Sequence, residues 1–188
     1  MFGAGTSLLK EGARHYSGLE EAMMRNIEAV QQLSGMTKSA LGPHGLNKMV
    51  INHLDKLFVT SDAATIIKES EVHHPAASMV KMAAKMQESE CGDGTNFVLT
   101  LAGELMFHAQ QLIQMGLHPS EIIIGYEKAA KLCYELMDKQ ACYEVKDIHD
   151  VEEVKRCIKA TIAAKQFGLE DKLSDLITTA CLYAIPKG

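Results

Sequence analysis

The chain has no tryptophan, and aromatic residues make up only 5% of its 188 residues. Strands draw on aromatic and β-branched side chains, so an all-β sandwich is a poor fit. Eleven methionines, flexible fillers of apolar cores, suit packed helices better. Positive charge is not in excess either. Nineteen Lys and Arg against 24 Asp and Glu leave a net charge of −5, which offers no basic footprint for non-specific nucleic-acid binding. The longest apolar region, Phe97 to Met106, is broken by Gly103 and Glu104 and falls far short of the ~20 residues of a membrane span. Cys91, Cys133, Cys142, Cys157 and Cys181 include no CxxC pair, so structural zinc spacing is missing. Their odd number and irregular spacing fit a reducing cytosol. Residues Met1 to Gly5 lack a basic segment followed by an apolar run, so no signal peptide is expected. The expectation is a cytoplasmic globular chain with neither nucleic acid nor membrane as partner.

Hydrophobic residues at 47% and charged residues at 23% are globular values. At ~150 residues per domain the length corresponds to about one domain. Such a chain can bury ~70% of its unfolded surface.

The apolar pattern reads as a series of helices with one hairpin. Ser17 and Glu20 form a capping box, and Leu19, Met23, Ile27, Val30 and Leu33 follow at helical spacing, giving a helix to about Ser39 before Gly42-Pro43. Lys48–Asn52 and Leu57–Thr60 are short and β-prone, separated by the turn-length His53–Lys56, and predict a β-hairpin. Asp62 stands at a helix N-cap position before Ala63, Ala64, Ile66 and Ile67. His73-His74-Pro75 ends that helix as a solvated pair of histidines, and Pro75 opens the next, whose stripe of Met79, Met82, Ala83 and Met86 reads as core packing. Phe97 to Leu112 is apolar around its whole circumference and predicts a buried central helix, stopped by Gly116. Pro119 opens another, with Ile122, Ile123, Tyr126, Ala130, Cys133 and Met137 inward. Cys142 to Asp150 is polar and irregular, and a domain boundary is expected near Tyr143 to Asp147. Two shorter amphipathic helices follow, carrying Val151, Val154, Ile158 and Ile162, then Leu173, Leu176, Ile177 and Cys181.

Two loops and one aspartate carry possible chemistry. Leu41-Gly42-Pro43-His44-Gly45 leads from a helix to the hairpin, and its glycines let backbone approach a ligand; it also reads as a simple helix stop. It is not a Walker A loop. Gly92-Asp93-Gly94-Thr95-Asn96 directly precedes the central helix. A helix start offers unpaired N–H groups and a positive dipole end, a ready anion site, and Asp93 can hold a hard cation such as Mg²⁺. The same residues also read as a cap on a buried helix. Asp62 is either a plain N-cap or a carboxylate facing a terminal phosphate, where it could orient a water. Cys91 beside the glycine loop reads as a buried, inert thiol rather than a reactive one.

Taken together, four stretches resemble the group II chaperonins, and in particular the subunits of the eukaryotic cytosolic ring complex. They are Leu41-Gly42-Pro43-His44-Gly45-Leu46-Asn47-Lys48-Met49, Val59-Thr60-Ser61-Asp62-Ala63-Ala64-Thr65-Ile66, His74-Pro75-Ala76-Ala77 and Gly92-Asp93-Gly94-Thr95-Asn96-Phe97. They stand in the family's order and at its spacing. Ala63, where most members carry glycine, and the run Met49–Thr60 resemble one subunit type of that ring.

The resemblance implies a mainly α fold: residues 1–143 as the N-terminal half of a helical equatorial domain with a small β-hairpin, and 144–188 as the first part of a helical intermediate domain. It implies an ATP site in which Leu41, Gly42 and Pro43 cover the nucleotide, Asp93 ligates Mg²⁺, Gly92, Gly94, Thr95, Asn96 and Phe97 form the phosphate turn and helix start, and Asp62 assists hydrolysis catalytically. It implies ATP-dependent folding of cytosolic proteins such as actin and tubulin, within a hetero-oligomeric double ring of related subunits. Family subunits continue past this length with an apical domain, a returning intermediate segment and a second equatorial half holding the other catalytic aspartate. The residues present are therefore expected to fold poorly and not to hydrolyse ATP alone. The competing expectation is a helical interaction fragment that binds ring subunits without turnover. A standalone phosphotransferase is disfavoured, because only one wall of a site is present.

Overall fold

Where the chain's apolar repeat is helical, a helix forms, and where it is short and β-branched, a strand forms. A computed structural model describes residues 18–186. Their elements are α1 (Leu19–Lys38), β1 (Lys48–Ile51), β2 (Leu57–Thr60), α2 (Ala63–Glu69), α3 (Pro75–Cys91), α4 (Thr95–Gln114), α5 (Pro119–Gln140), α6 (Val151–Ala163) and α7 (Glu170–Ala184). The mainly helical class with one small hairpin is as expected. The capping box at Ser17 falls on a residue outside those described; α1 begins at Leu19.

β1 and β2 pair antiparallel with Lys48 opposite Thr60 and Ile51 opposite Leu57. Asn52 closes the turn. Its Oδ1 accepts from the N–H groups of Leu54 and Lys56 at 3.0 and 3.1 Å, an Asx-type turn that replaces lost ladder bonds. Its amide also donates to Glu69 at 2.9 Å, tying the turn to the end of α2.

α1, α3 and α4 pack together, and α2 lies beside them. Leu33, Ala63, Ile67, Ala77, Ala84 and Leu99 form the core, with Ala29, Val72 and Val80 against it. Leu99 is fully buried, a contribution on the order of 1.5–3 kcal/mol by area removed from water. α1 and α4 approach so closely that a Cβ on Gly103 would sit 2.3 Å from both Cβ and Oγ of Ser34. Gly103→Ala should therefore destabilise the fold by ~1–3 kcal/mol despite alanine's better helix propensity. Thermal melting of the purified protein reads this directly. Ser34→Gly in the same chain should return most of the loss, because it removes the clashing atoms.

Several packing expectations are corrected. The methionine stripe of α3 is not core: Met79, Met82 and Met86 are all exposed, and the buried residues are Ala77 and Ala84, with Val80 half-buried. Small side chains let α3 lie close on its neighbours, so the alanine stripe turns inward and the bulkier one outward. α4 is buried on one side only. Leu99, Gly103 and Ala109 face α1 and α3, whereas Phe97, Leu101, Leu105 and Phe107 are exposed. Along α5 only Ile122 is buried; Ile123, Ala130, Cys133 and Met137 are exposed, and Tyr126 donates to the Leu105 carbonyl at 2.7 Å. Cys91 is exposed rather than buried, and all five cysteines are free thiols. His74 is not merely solvated: its Nδ1 accepts from the Ala76 N–H and caps α3.

After α5 the chain is irregular to Asp150, and α6 and α7 then form an antiparallel helical hairpin. Its seam centres on buried Ser174 and Thr178, so Leu176 and Ile177 lie outward, against expectation. Ion pairs Lys155–Asp175 and Lys159–Asp171 flank the seam.

Candidate functional site

Three segments distant in sequence converge on one cleft of about 550 Å³. Leu41 and Gly42 come from the loop after α1, Asp62 from the end of β2, and Gly92, Asp93, Gly94, Thr95, Asn96 and Phe97 from the start of α4. Of the residues that the family resemblance assigns to the ATP site, only Pro43 is not on the lining. Its place is the turn itself, which closes with the Gly45 N–H donating to Gly42 at 3.0 Å and Leu46 to Ser39 at 2.8 Å.

Asp62 caps a helix, as one of its two readings held, and it also lines the cleft. Oδ2 accepts from the backbone N–H of Thr65 at 2.9 Å and from its hydroxyl at 2.8 Å, which caps α2. Oδ1 points elsewhere, 3.6 Å from Nζ of Lys165. Partial burial raises the pKa of this carboxyl, but the two Thr65 hydrogen bonds and the Lys165 charge outweigh it and hold the group below the usual carboxylate range. Asp62 is therefore an ionised acceptor at neutral pH.

The glycine turn is built between two helices. Gly92 ends α3 at φ 70°, and Gly94 precedes α4 at φ 83°, both left-handed. Gln87 of α3 donates to the Asp93 carbonyl at 2.9 Å and braces the turn from outside. α4 has no side-chain cap, and its first internal bond runs from Val98 to Gly94. The N–H groups of Thr95, Asn96 and Phe97 thus remain at a positive helix end lining the cleft. Asn96 is itself buried, and its amide donates to the Thr37 carbonyl at 2.9 Å. What Asn96 offers the cleft is backbone, while its side chain fixes the start of α4 to the end of α1. The Asp93 carboxylate is exposed and makes no hydrogen bond among the described residues. Mg²⁺ takes one or two carboxylates plus phosphate oxygens and water rather than an all-protein cage. The exposed, unbonded Asp93 carboxylate on the cleft fits that donor set, whereas the Asp62 oxygens already face Thr65 and Lys165. Among the described residues no three His, Cys, Asp or Glu side chains gather as a protein-only metal site.

The fourth wall was not foreseen. Thr161, Ala164, Lys165 and Gln166, from the end of α6 and the turn after it, also line the cleft. Lys165 Nζ lies 3.4 Å from the Ser61 carbonyl, 104 residues away. No spacing rule links two positions so far apart. A second cleft of about 580 Å³ on α6 and α7, beside Tyr143 and Lys159, gathers none of the predicted residues. Its two lysines are paired, Lys155 with Asp175 and Lys159 with Asp171, and Arg156 stacks 4.5 Å from the Tyr143 ring centre.

The sequence profile of the TCP-1/cpn60 chaperonin family matches residues 33–188. The chain belongs to the TCP-1/cpn60 chaperonin family. Within it, T-complex protein 1 subunit theta of Dictyostelium discoideum is 57% identical over 182 residues, 97% of this chain and 34% of that protein. The theta subunits of Arabidopsis thaliana and Homo sapiens are each 52% identical, over 96% and 95% of this chain and 33% of each relative. This chaperonin chain thus spans about a third of the length of the curated relatives it matches. No helix among the described residues is long and apolar enough to cross a membrane.

Proposed function

We propose that the chain is the N-terminal nucleotide-binding portion of a theta-type chaperonin subunit, with residues 1–143 as half of an equatorial domain and 144–188 as the start of an intermediate domain. The observation that carries this reading is the convergence of Leu41-Gly42, Asp62 and the uncapped start of α4 on one cleft. ATP with Mg²⁺ is the ligand. Held there, Mg²⁺ would supply positive charge against the phosphates. Asp93 would hold it, and the N–H groups at the start of α4 would donate to the phosphate oxygens. Leu41, Gly42 and Pro43 cover the nucleotide. Lys165 adds positive charge, and the Asp62 oxygen that faces it orients the attacking water.

The working assembly is a cytoplasmic hetero-oligomeric ring of related subunits, in which ATP turnover drives folding of clients such as actin and tubulin. The exposed faces of α3, α4 and α5 support this setting. Such extended apolar area normally marks an interface, and the remaining two thirds of a theta-length subunit would cover it. The same faces support a second reading, a helical fragment that binds ring subunits without turnover.

The tagged protein, isolated from its own cells, separates the two. The first reading expects a particle near a megadalton containing related subunits, and Mg-dependent ATP retention that Asp93→Ala abolishes. Partner binding that survives Asp93→Ala, with no nucleotide held even by the native protein, favours the second. A small species with neither partners nor nucleotide overturns both.

A further inference from the structure

The α6–α7 hairpin reaches the rest of the chain through its turn. Lys165 makes the polar part of that contact, toward the Ser61 carbonyl at 3.4 Å and Asp62 at 3.6 Å. Both distances are long, and the ammonium sits on a flexible, partly exposed stem. Such a partly solvated pair does not fix a turn by itself. Two residues on, the Phe167 ring lies 5.3 Å from the His44 ring, tilted at 55°, within the range of attractive ring pairs. Phe167 is otherwise 63% exposed, so core burial does not account for its position.

Both partners stand on internally tied backbone. Lys165 and Gln166 donate to the Ile162 carbonyl at 3.0 and 2.7 Å, and Gly168 donates to Glu170. The loop bearing His44 is closed by its own two backbone bonds and carries Leu41 and Gly42 into the cleft. Holding Phe167 therefore holds Lys165, and the ring contact, itself outside the cleft lining, ties the turn that carries Lys165 to the loop that carries Leu41 and Gly42.

We propose that Phe167 is a positioning residue: by packing on His44 it seats Lys165 beside Asp62 and clasps the α6–α7 turn to the loop that covers the nucleotide. The proposal rests on the ATP reading above and adds to it the residue that positions Lys165.

The test uses the tagged protein from its own cells, a non-hydrolysable Mg-ATP analogue, and hydrogen exchange across residues 162–170. Phe167→Ala should weaken analogue binding about 3- to 10-fold. It should also speed exchange in the turn and remove the slowing that nucleotide causes there. Phe167→Tyr keeps the ring and should restore both. His44→Ala should reproduce Phe167→Ala, and the double variant should be no worse than either. Lys165→Ala should lose affinity while the turn stays protected. Native analogue affinity and native exchange in Phe167→Ala, or additive losses in the double variant, overturn the proposal alone. A native protein that binds no Mg-ATP analogue overturns the ATP reading, and exchange of the turn without nucleotide then still reports whether the ring contact holds it.

Discussion

Asp62→Asn should stop ATP turnover and leave the fold intact. Asparagine caps a helix as well as aspartate does, so the Thr65 N–H keeps its acceptor and α2 keeps its start. What is lost is the charge on the oxygen that faces Lys165 and the cleft. A side chain that orients or activates the attacking water contributes ~10²–10⁴-fold in rate, and that is the expected fall. Asp62→Ala removes the cap as well, so it should lose turnover and a further ~0.5–2 kcal/mol of stability. Phosphate release and thermal melting, measured on both variants in the assembled protein, separate the roles. An Asn variant that hydrolyses ATP at the native rate would reduce Asp62 to a cap.

The pH dependence follows from the same contacts. Burial raises the Asp62 pKa, but the Thr65 and Lys165 interactions outweigh it, so the folded value lies below the unfolded one. A lowered carboxylate pKa stabilises the fold fully above the unfolded value, and that stability is lost as pH falls through the folded value. Turnover should therefore show no acid limb from Asp62 near neutrality. The loss of its cap should appear only below the ordinary carboxylate range.

Features whose partners lie within a few residues were legible in the sequence. The Asp62 cap reaches only to Thr65, and Pro75 and Pro119 open their helices; Asn52, read as the end of a strand, instead closes the turn after β1. The site's main segments were legible for a different reason, since they match a family in order and spacing. Contacts across the fold were not. Lys165 against Ser61, Phe167 against His44 and Asn96 against Thr37 obey no local period, because each depends on how whole elements dock. The α3 stripes show a subtler failure. Met79, Met82 and Met86 share the spacing of Ala77, Val80 and Ala84, and hydrophobicity favours the methionines. Close helix approach favours the smaller set, and close approach decides the packing. On α4 and α5, periodicity reveals an apolar face without revealing what lies against it.

Gly94→Ala should weaken Mg-ATP binding about tenfold. Gly94 sits at φ 83°, a conformation that disfavours any side chain by ~1–2 kcal/mol. Its new Cβ would also lie 2.9 Å from Nε2 of Gln87. Gln87 is flexible and can move, but moving it breaks its bond to the Asp93 carbonyl and frees the turn that presents Asp93 and the start of α4. The penalty therefore falls on the ligand as well as on the fold. Gly116 provides the control. It is equally left-handed at φ 97°, nothing lies within 4 Å of its Cβ position, and it is not on the cleft lining. Gly116→Ala should lower the melting temperature through the same backbone strain and leave nucleotide affinity unchanged. Gln87→Ala should weaken binding less than Gly94→Ala, and adding it to Gly94→Ala should change little, since both act through one hydrogen bond. If Gly94→Ala behaves like Gly116→Ala, losing stability but not affinity, the glycine turn connects two helices and does not cradle a phosphate.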